Sequence, residues 1–292
     1  MTRPHADPDC QVCGGGLRPW RLDRRNSLRR CERCGLVLRD LVDAPAEARA
    51  PAYGGDPGLD RVRLTLTYRR LRRLVPGRGA RVFEVGFGTG ALLRRFLDDG
   101  ATVAGADPAL LEVDVDPAVA AAGNLTAAPL AERTDGGSHD LVVGVHVIEH
   151  VADLAGFADA CRDLLRPGGR LVLLTPAGDG VGLAWLRSRW WMLEDPTHVR
   201  FLTADSAIRL LEGAGLVDVR VRRLVLDSVG VEAASLVRAL RWRHLPAAGV
   251  LSWPVTRLLV LVSAPVVLAV RLLVPAARPT LEVVARCPDP QR

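Results

Sequence analysis

One decapeptide, Arg81-Val82-Phe83-Glu84-Val85-Gly86-Phe87-Gly88-Thr89-Gly90, constrains the fold more than any other stretch. A short apolar run, a G-x-G-x-G loop and then a helical pattern predict a strand, a tight turn and a helix N-terminus. There the backbone can approach a ligand closely. Taken alone, such a loop also suits a dinucleotide. Its neighbours narrow the reading. Glu84 stands two residues before the first glycine, inside the strand end. Asp107 stands 21 residues after Gly86, at the end of the next apolar run, where a carboxylate can accept hydrogen bonds from two ribose hydroxyls. A plain turn aspartate before Pro108 is the bland alternative.

Around the loop, strands and helices alternate. The pattern predicts an amphipathic helix over 59–75, strands at 80–85, 102–106, 140–145 and 170–175, and helices at 90–99 and 154–165. A helix at 204–213, capped by Thr203 with Ser206 in its first turn, a strand at 217–224 and a last strand at 280–287 complete the series. This alternation implies a mostly parallel sheet with helices on both faces.

The N-terminus carries a second framework. Cys10, Cys13, Cys31 and Cys34 form C-x2-C, a 17-residue gap, and C-x2-C, each pair followed by a glycine. Two such turns supply four thiolates for a tetrahedral site, the arrangement of structural Zn2+. Four sulfur ligands leave no open position for catalysis. The polar stretch 1–9 has no apolar signal core, so the cytoplasm is the expected compartment and disulfides are disfavoured. Cys161 and Cys287 read as buried or peripheral bystanders.

Residues 245–277 hold only two charges, Arg257 and Arg271, and the longest uncharged run, 258–270, is 13 residues and contains Pro265. That run is shorter than the roughly 18–20 residues of a spanning helix. It suits either a helical hairpin that packs on its own domain or forms a dimer interface, or a monotopic element flanked by Arg238, Arg241 and Arg243. The net charge of +6 is carried wholly by arginine and spread along the chain. It forms no aromatic-interleaved stripe, which weighs against nucleic acid.

Several phrases together resemble a class I S-adenosylmethionine-dependent methyltransferase of the ubiquinone-biosynthesis-like branch. They are E-V-G-F-G-T-G from Glu84, the acid in Gly105-Ala106-Asp107, the run His146 to Val151, and L-L-R-P-G-G-R-L-V-L-L-T-P from Leu164. The cysteine ribbon ending in Cys31 to Val37 is similar to that of some bacterial members. The resemblance implies a Rossmann-like seven-stranded α/β sheet, a small N-terminal zinc ribbon and a helical hydrophobic insertion before the last strand. The implied segments are a ribbon at 1–43, a linker at 44–58, a methyltransferase domain at 59–224 plus 279–288, and the insertion at 225–278.

The resemblance further implies that Gly86, Gly88, Gly90 and Glu84 hold the amino-acid end of S-adenosyl-L-methionine, while Asp107 binds its ribose. No acid matches the family's adenine contact in Asn124-Leu125-Thr126-Ala127-Ala128, so the backbone of Ala127 and Ala128 takes that place. His146, Glu149, His150 and His198 are the candidate catalytic groups. The spacing H-x2-E-H suits either a second metal or, more commonly, a helix cap that lines the pocket. The implied acceptor is a small molecule or lipid-linked compound, sugar or quinone-like, methylated on O (or C). An RNA methyltransferase using the ribbon, or a non-catalytic ribbon protein, are the rival readings. The expected location is the cytoplasm, with peripheral contact at the inner membrane face through 245–277; the sequence does not define an oligomeric state.

Overall fold

The computed structural model describes residues 9–23, 27–39, 57–107, 114–128, 130, 136–240, 250–252 and 254–289. Most of the expected linker, together with Arg241, Arg243 and residues 245–249, lies outside them. Two compact units emerge. One draws on Met1–Arg63, Pro176–Ser206 and Arg223–Leu281, the other on Leu64–Thr175, Ala207–Arg222 and Glu282–Arg292.

The first unit contains a four-stranded sheet ordered β1-β2-β3-β9, formed by β1 (Leu17–Arg21), β2 (Ser27–Cys31), β3 (Val37–Arg39) and β9 (Arg200–Phe201). Val37 faces Phe201 in the antiparallel β3–β9 pair. The ribbon therefore does not fold on itself alone. Leu28, Val37, Trp190, Phe201, Val237 and Val250 belong to one buried cluster. It joins the ribbon, the tryptophan-bearing segment and the late insertion. Trp190 and Trp191 are core residues, whereas Trp185 is 82% exposed.

The insertion folds as two helices, α7 (Val231–Leu240) and α8 (Pro254–Leu273), packed on each other. The 20-residue α8 is longer than the uncharged run suggested, and it is long and apolar enough by length and composition to cross a membrane. The helix extends past that run because Arg271 is accommodated rather than exposed. Its guanidinium, in a side chain 1% exposed, meets Glu232 at 2.8 Å and donates to the carbonyls of Val225, Asp227 and Ser228. A buried charge with that many partners does not end a helix.

The second unit is built on a seven-stranded sheet ordered β10-β11-β8-β7-β4-β5-β6. Its strands are β4 (Arg81–Val85), β5 (Thr102–Ala106), β6 (Asn124–Thr126), β7 (His139–Val145), β8 (Leu165–Pro176), β10 (Val217–Leu224) and β11 (Thr280–Arg286). The five strands from β6 to β8 pair in parallel. Their cores are continuous apolar runs such as Leu141 to Val143 and Leu171 to Leu174, buried throughout, as strands covered on both faces require. β8 begins earlier than periodicity indicated because Gly168 and Gly169 keep backbone bonds to Cys287 in line with the strand.

The helices are α1 (Pro57–Leu71), α2 (Ala91–Asp98), α3 (Pro117–Ala122), α4 (Leu154–Leu164), α5 (Val181–Leu186) and α6 (Ala204–Gly213). α2 buries Leu92, Leu93 and Phe96. α4 starts on an Asp153 cap that accepts from Gly156 N–H and buries Phe157, Cys161 and Leu164. The chain runs outward from β4 to β5 and β6, then returns to β7 on the other side of β4. The carboxyl ends of β4, β5 and β7 flank this reversal, where ligands bind in open α/β sheets.

Candidate active site and cysteine centre

The glycine loop leaves β4 through Gly86, Gly88 and Gly90, all in the left-handed region. At Gly86 a Cβ would stand 2.5 Å from Val147 Cγ2, so φ and space both demand glycine. Around the Cβ position of Gly88 there is open space, leaving the loop's crest clear for a ligand. Phe87 packs beneath: its Cδ1 lies 2.7 Å from where a Cβ on Gly105 would be. Gly105 thus has a packing reason that its sequence context did not reveal.

Asp107 stands at the end of β5. Its Oδ2 accepts from Gly88 N–H at 2.9 Å, and its own N–H donates to Thr126 O at 3.0 Å. One residue therefore ties together the loop and the ends of β5 and β6, its carboxylate reaching the loop and its backbone amide reaching β6. Glu84 is buried at the end of β4. The Ala128 N–H donates to Thr126 Oγ1 at 3.0 Å, so that amide is engaged within its own turn, and Ala127 is exposed beside it.

Sequence reasoning missed Asp116. Its backbone N–H donates to Thr89 O, and its side chain caps α3 by accepting from Ala118 and Val119. It also pairs with Arg94 at 3.3 Å. These amides and Arg94 hold its carboxyl below the usual carboxylate range, against the opposing effect of burial. The signal was present as Asp116-Pro117, a cap followed by proline at the first helical position.

After β7 the chain makes a strained turn. His146 has a φ of 55°, rare for a non-glycine residue. Its Nδ1 lies 3.1 Å from Glu149 Oε1, and Thr175 Oγ1 donates to Glu149 Oε2 at 3.0 Å. Glu149 is fully buried and bridges His146 to β8. Where Glu149 is a carboxylate it only accepts, and the imidazole then presents Nδ1–H to it and keeps Nε2 as an acceptor. Glu149 thus holds His146 through one oxygen and Thr175 through the other. His150 is partly buried and follows in the same short 3-10 turn. His198 belongs to the first unit, where its ring Nδ1 lies 2.6 Å from Met192 O. The expected Thr203 cap is present, with reciprocal Thr203–Ser206 bonds, and Thr203 Oγ1 also donates to Cys34 O at 2.6 Å.

The four N-terminal cysteines converge. Cys10 and Cys34 sulfurs lie 3.5 Å apart, those of Cys13 and Cys31 3.4 Å apart, and all four lie within 4.8 Å of one another. A tetrahedron with Zn–S bonds near 2.3 Å has edges of about 3.8 Å, so the set has the size and softness of a zinc site. Gly14 and Gly35 take positive φ and close the two knuckles, with Gly14 N–H on Cys10 O and Gly35 N–H on Cys31 O. Burial pushes the Cys10 and Cys34 thiols up. Burial opposes ionisation at Cys31 too, yet the amides of Cys34 and Arg33 bring it down to about 7. Four thiolates packed this closely would repel one another without a cation among them.

Comparison with known proteins agrees with this geometry. Residues 60–221 match the methyltransferase domain family. The ubiquinone biosynthesis O-methyltransferase of Dinoroseobacter shibae is 32% identical over 182 residues, covering 54% of this chain and 68% of the relative. That of Cereibacter sphaeroides (strain ATCC 17025) is 34% identical over 177 residues, covering 55% and 70%. Among solved structures, Haemonchus contortus phosphoethanolamine N-methyltransferase 2 with phosphomonomethylethanolamine and S-adenosylhomocysteine has a TM-score of 0.55 at 17% identity. It covers 77% of this chain and 53% of that one. The structural likeness extends the shared fold beyond the matched domain.

Proposed function

This chain belongs to the class I S-adenosylmethionine-dependent methyltransferases, and on that premise we propose that it methylates a hydroxyl oxygen of a quinone-like or lipid-linked small molecule. The carrying observation is the Asp107 carboxylate locked to Gly88 N–H at 2.9 Å at the reversal of the sheet. An open loop crest beside a fixed acid fits a ligand bearing ribose hydroxyls and an amino-acid tail. The relatives named as O-methyltransferases of ubiquinone biosynthesis support the acceptor class.

Bound S-adenosyl-L-methionine supplies a methyl group already activated by its sulfonium. The backbone of Gly86, Gly88 and Gly90 cradles its amino-acid end, with Glu84 at the same end. Asp107 accepts from the ribose hydroxyls, and the backbone at Ala127 and Ala128 borders the base. Alignment for in-line displacement supplies most of the rate. A phenolic acceptor must lose its proton, and the bases offered are His150 and His146, the latter oriented by Glu149. Cys10, Cys13, Cys31 and Cys34 hold a structural Zn2+ that shapes the first unit and takes no part in the chemistry. The enzyme works in the cytoplasm, in peripheral contact with the inner membrane face through 245–277.

The test is transfer of labelled methyl from S-adenosyl-L-methionine to a phenolic quinol carrying a short isoprenoid tail. Label in the organic extract, dependent on Asp107, is the expected result. Label appearing only in RNA, or in no fraction, overturns the acceptor.

A further inference from the structure

Half of α8 has no cover among the described residues. Among its described residues only Thr256, Val260 and Arg271 are buried, and 17% of its apolar window lies inside the protein. Leu258, Leu261, Val262, Val266, Leu272 and Leu273 are between 61% and 82% exposed. Placed at 100° per residue, the exposed apolar positions from Leu261 round to Val270 sweep about 180° of the helix surface. No polar side chain interrupts that arc, and Arg257 and Ser263 fall just outside its edges. Its length from 258 to 273 is about 24 Å at 1.5 Å per residue.

The width of the arc selects the occupant. A partner helix covers a stripe of roughly 100° and leaves the flanks wet. A half-cylinder with no polar break is matched by a fluid of acyl chains, which closes around the whole convex surface. Charge agrees: the exposed Arg257 borders the arc at the helix start, where a cation favours an anionic leaflet. The opposite stripe decides the orientation. Thr256, Val260 and Arg271 hold α8 along its length, and Arg271 is fastened to Glu232 and to the carbonyls of Val225, Asp227 and Ser228. A spanning helix would have to leave these partners and carry that guanidinium into hydrocarbon.

We propose that α8 is an in-plane membrane anchor, sunk to half its diameter in the interface of an anionic bilayer while Arg271 keeps its other face on the protein. The proposal sharpens the peripheral contact stated above, and it stands whatever acceptor is methylated.

The test is flotation of the full chain with vesicles of phosphatidylcholine alone, or mixed with phosphatidylglycerol. Wild type rises with the anionic vesicles and is released by alkaline carbonate. The triple variant Leu261→Gln, Val262→Gln, Val266→Gln loses binding by about tenfold or more. Its circular dichroism and S-adenosyl-L-methionine affinity stay unchanged, which separates a failed anchor from a failed enzyme. Three results overturn the proposal. They are wild type ignoring both vesicles, carbonate-resistant retention (a spanning helix), and a soluble dimer dissolved by the same three substitutions (a self-association face).

Discussion

The Gly88 amide and the Asp107 carboxylate hold each other at 2.9 Å, so the loop after β4 and the end of β5 form one rigid corner. Removing the carboxylate frees the loop and, in the proposed function, deletes the ribose acceptor. Asp107→Ala should weaken S-adenosyl-L-methionine binding by about 10- to 100-fold, the worth of a charge-assisted hydrogen bond. Calorimetry on the two proteins decides it, and equal affinities would remove Asp107 from the site.

Gly86 and Val147 are packed to contact. Gly86→Ala forces a Cβ to 2.5 Å from Val147 Cγ2 at a φ of 69°, with an expected loss of about 1–3 kcal/mol. Adding Val147→Ala should recover the steric part and leave the backbone part. Gly88→Ala meets no neighbour and should be the milder change to stability. Denaturant melts of the four proteins form the comparison, and failure of Val147→Ala to rescue would place the strain elsewhere.

Glu149 offers one oxygen to His146 and the other to Thr175. Glu149→Gln keeps the volume but can present an N–H to His146 and reverse its tautomer. If His146 is the base, kcat should fall roughly 100-fold. The pH profile should change with it, and S-adenosyl-L-methionine affinity should not. A normal pH profile in the variant would return Glu149 to a purely structural role.

Metal removal should be felt well beyond the ribbon, because Leu28 and Val37 share a core with Trp190 and Phe201. Elemental analysis should find zinc bound by the wild type and lost from Cys10→Ser, Cys13→Ser. Chelation should lower Tm and redshift tryptophan fluorescence as Trp190 meets water. Unchanged fluorescence in metal-free protein would mean that the ribbon and the shared core hold without the metal.

Arg271 is buried against Glu232, which is itself 31% exposed. Arg271→Met strands three carbonyls and one carboxylate, at an expected cost of about 2–4 kcal/mol. Glu232→Gln should cost less, since the carbonyl contacts remain. Thermal melts of both variants rank the two, and the reverse order would show the ion pair to dominate.

Much of the second unit was legible in the chain because its signals are local. β5 occupies the 102–106 predicted for it, and α6 and β10 also fall where periodicity put them. The spacing of Cys10, Cys13, Cys31 and Cys34 foretold their convergence, since two tight turns leave the sulfurs few other places. The sequence could place Gly86, Asp107 and His146 near strand ends, because a strand's end follows from its length. It could not say that Val147 crowds Gly86, that Asp107 clasps Gly88, or that Glu149 is spent on His146 and Thr175. Those are contacts between segments brought together by the sheet. Nor could composition choose for 245–277 among a packed hairpin, a dimer interface and a membrane element. Tertiary packing separated the faces of α8, burying one thin stripe through Arg271 and leaving a broad apolar face exposed among the described residues.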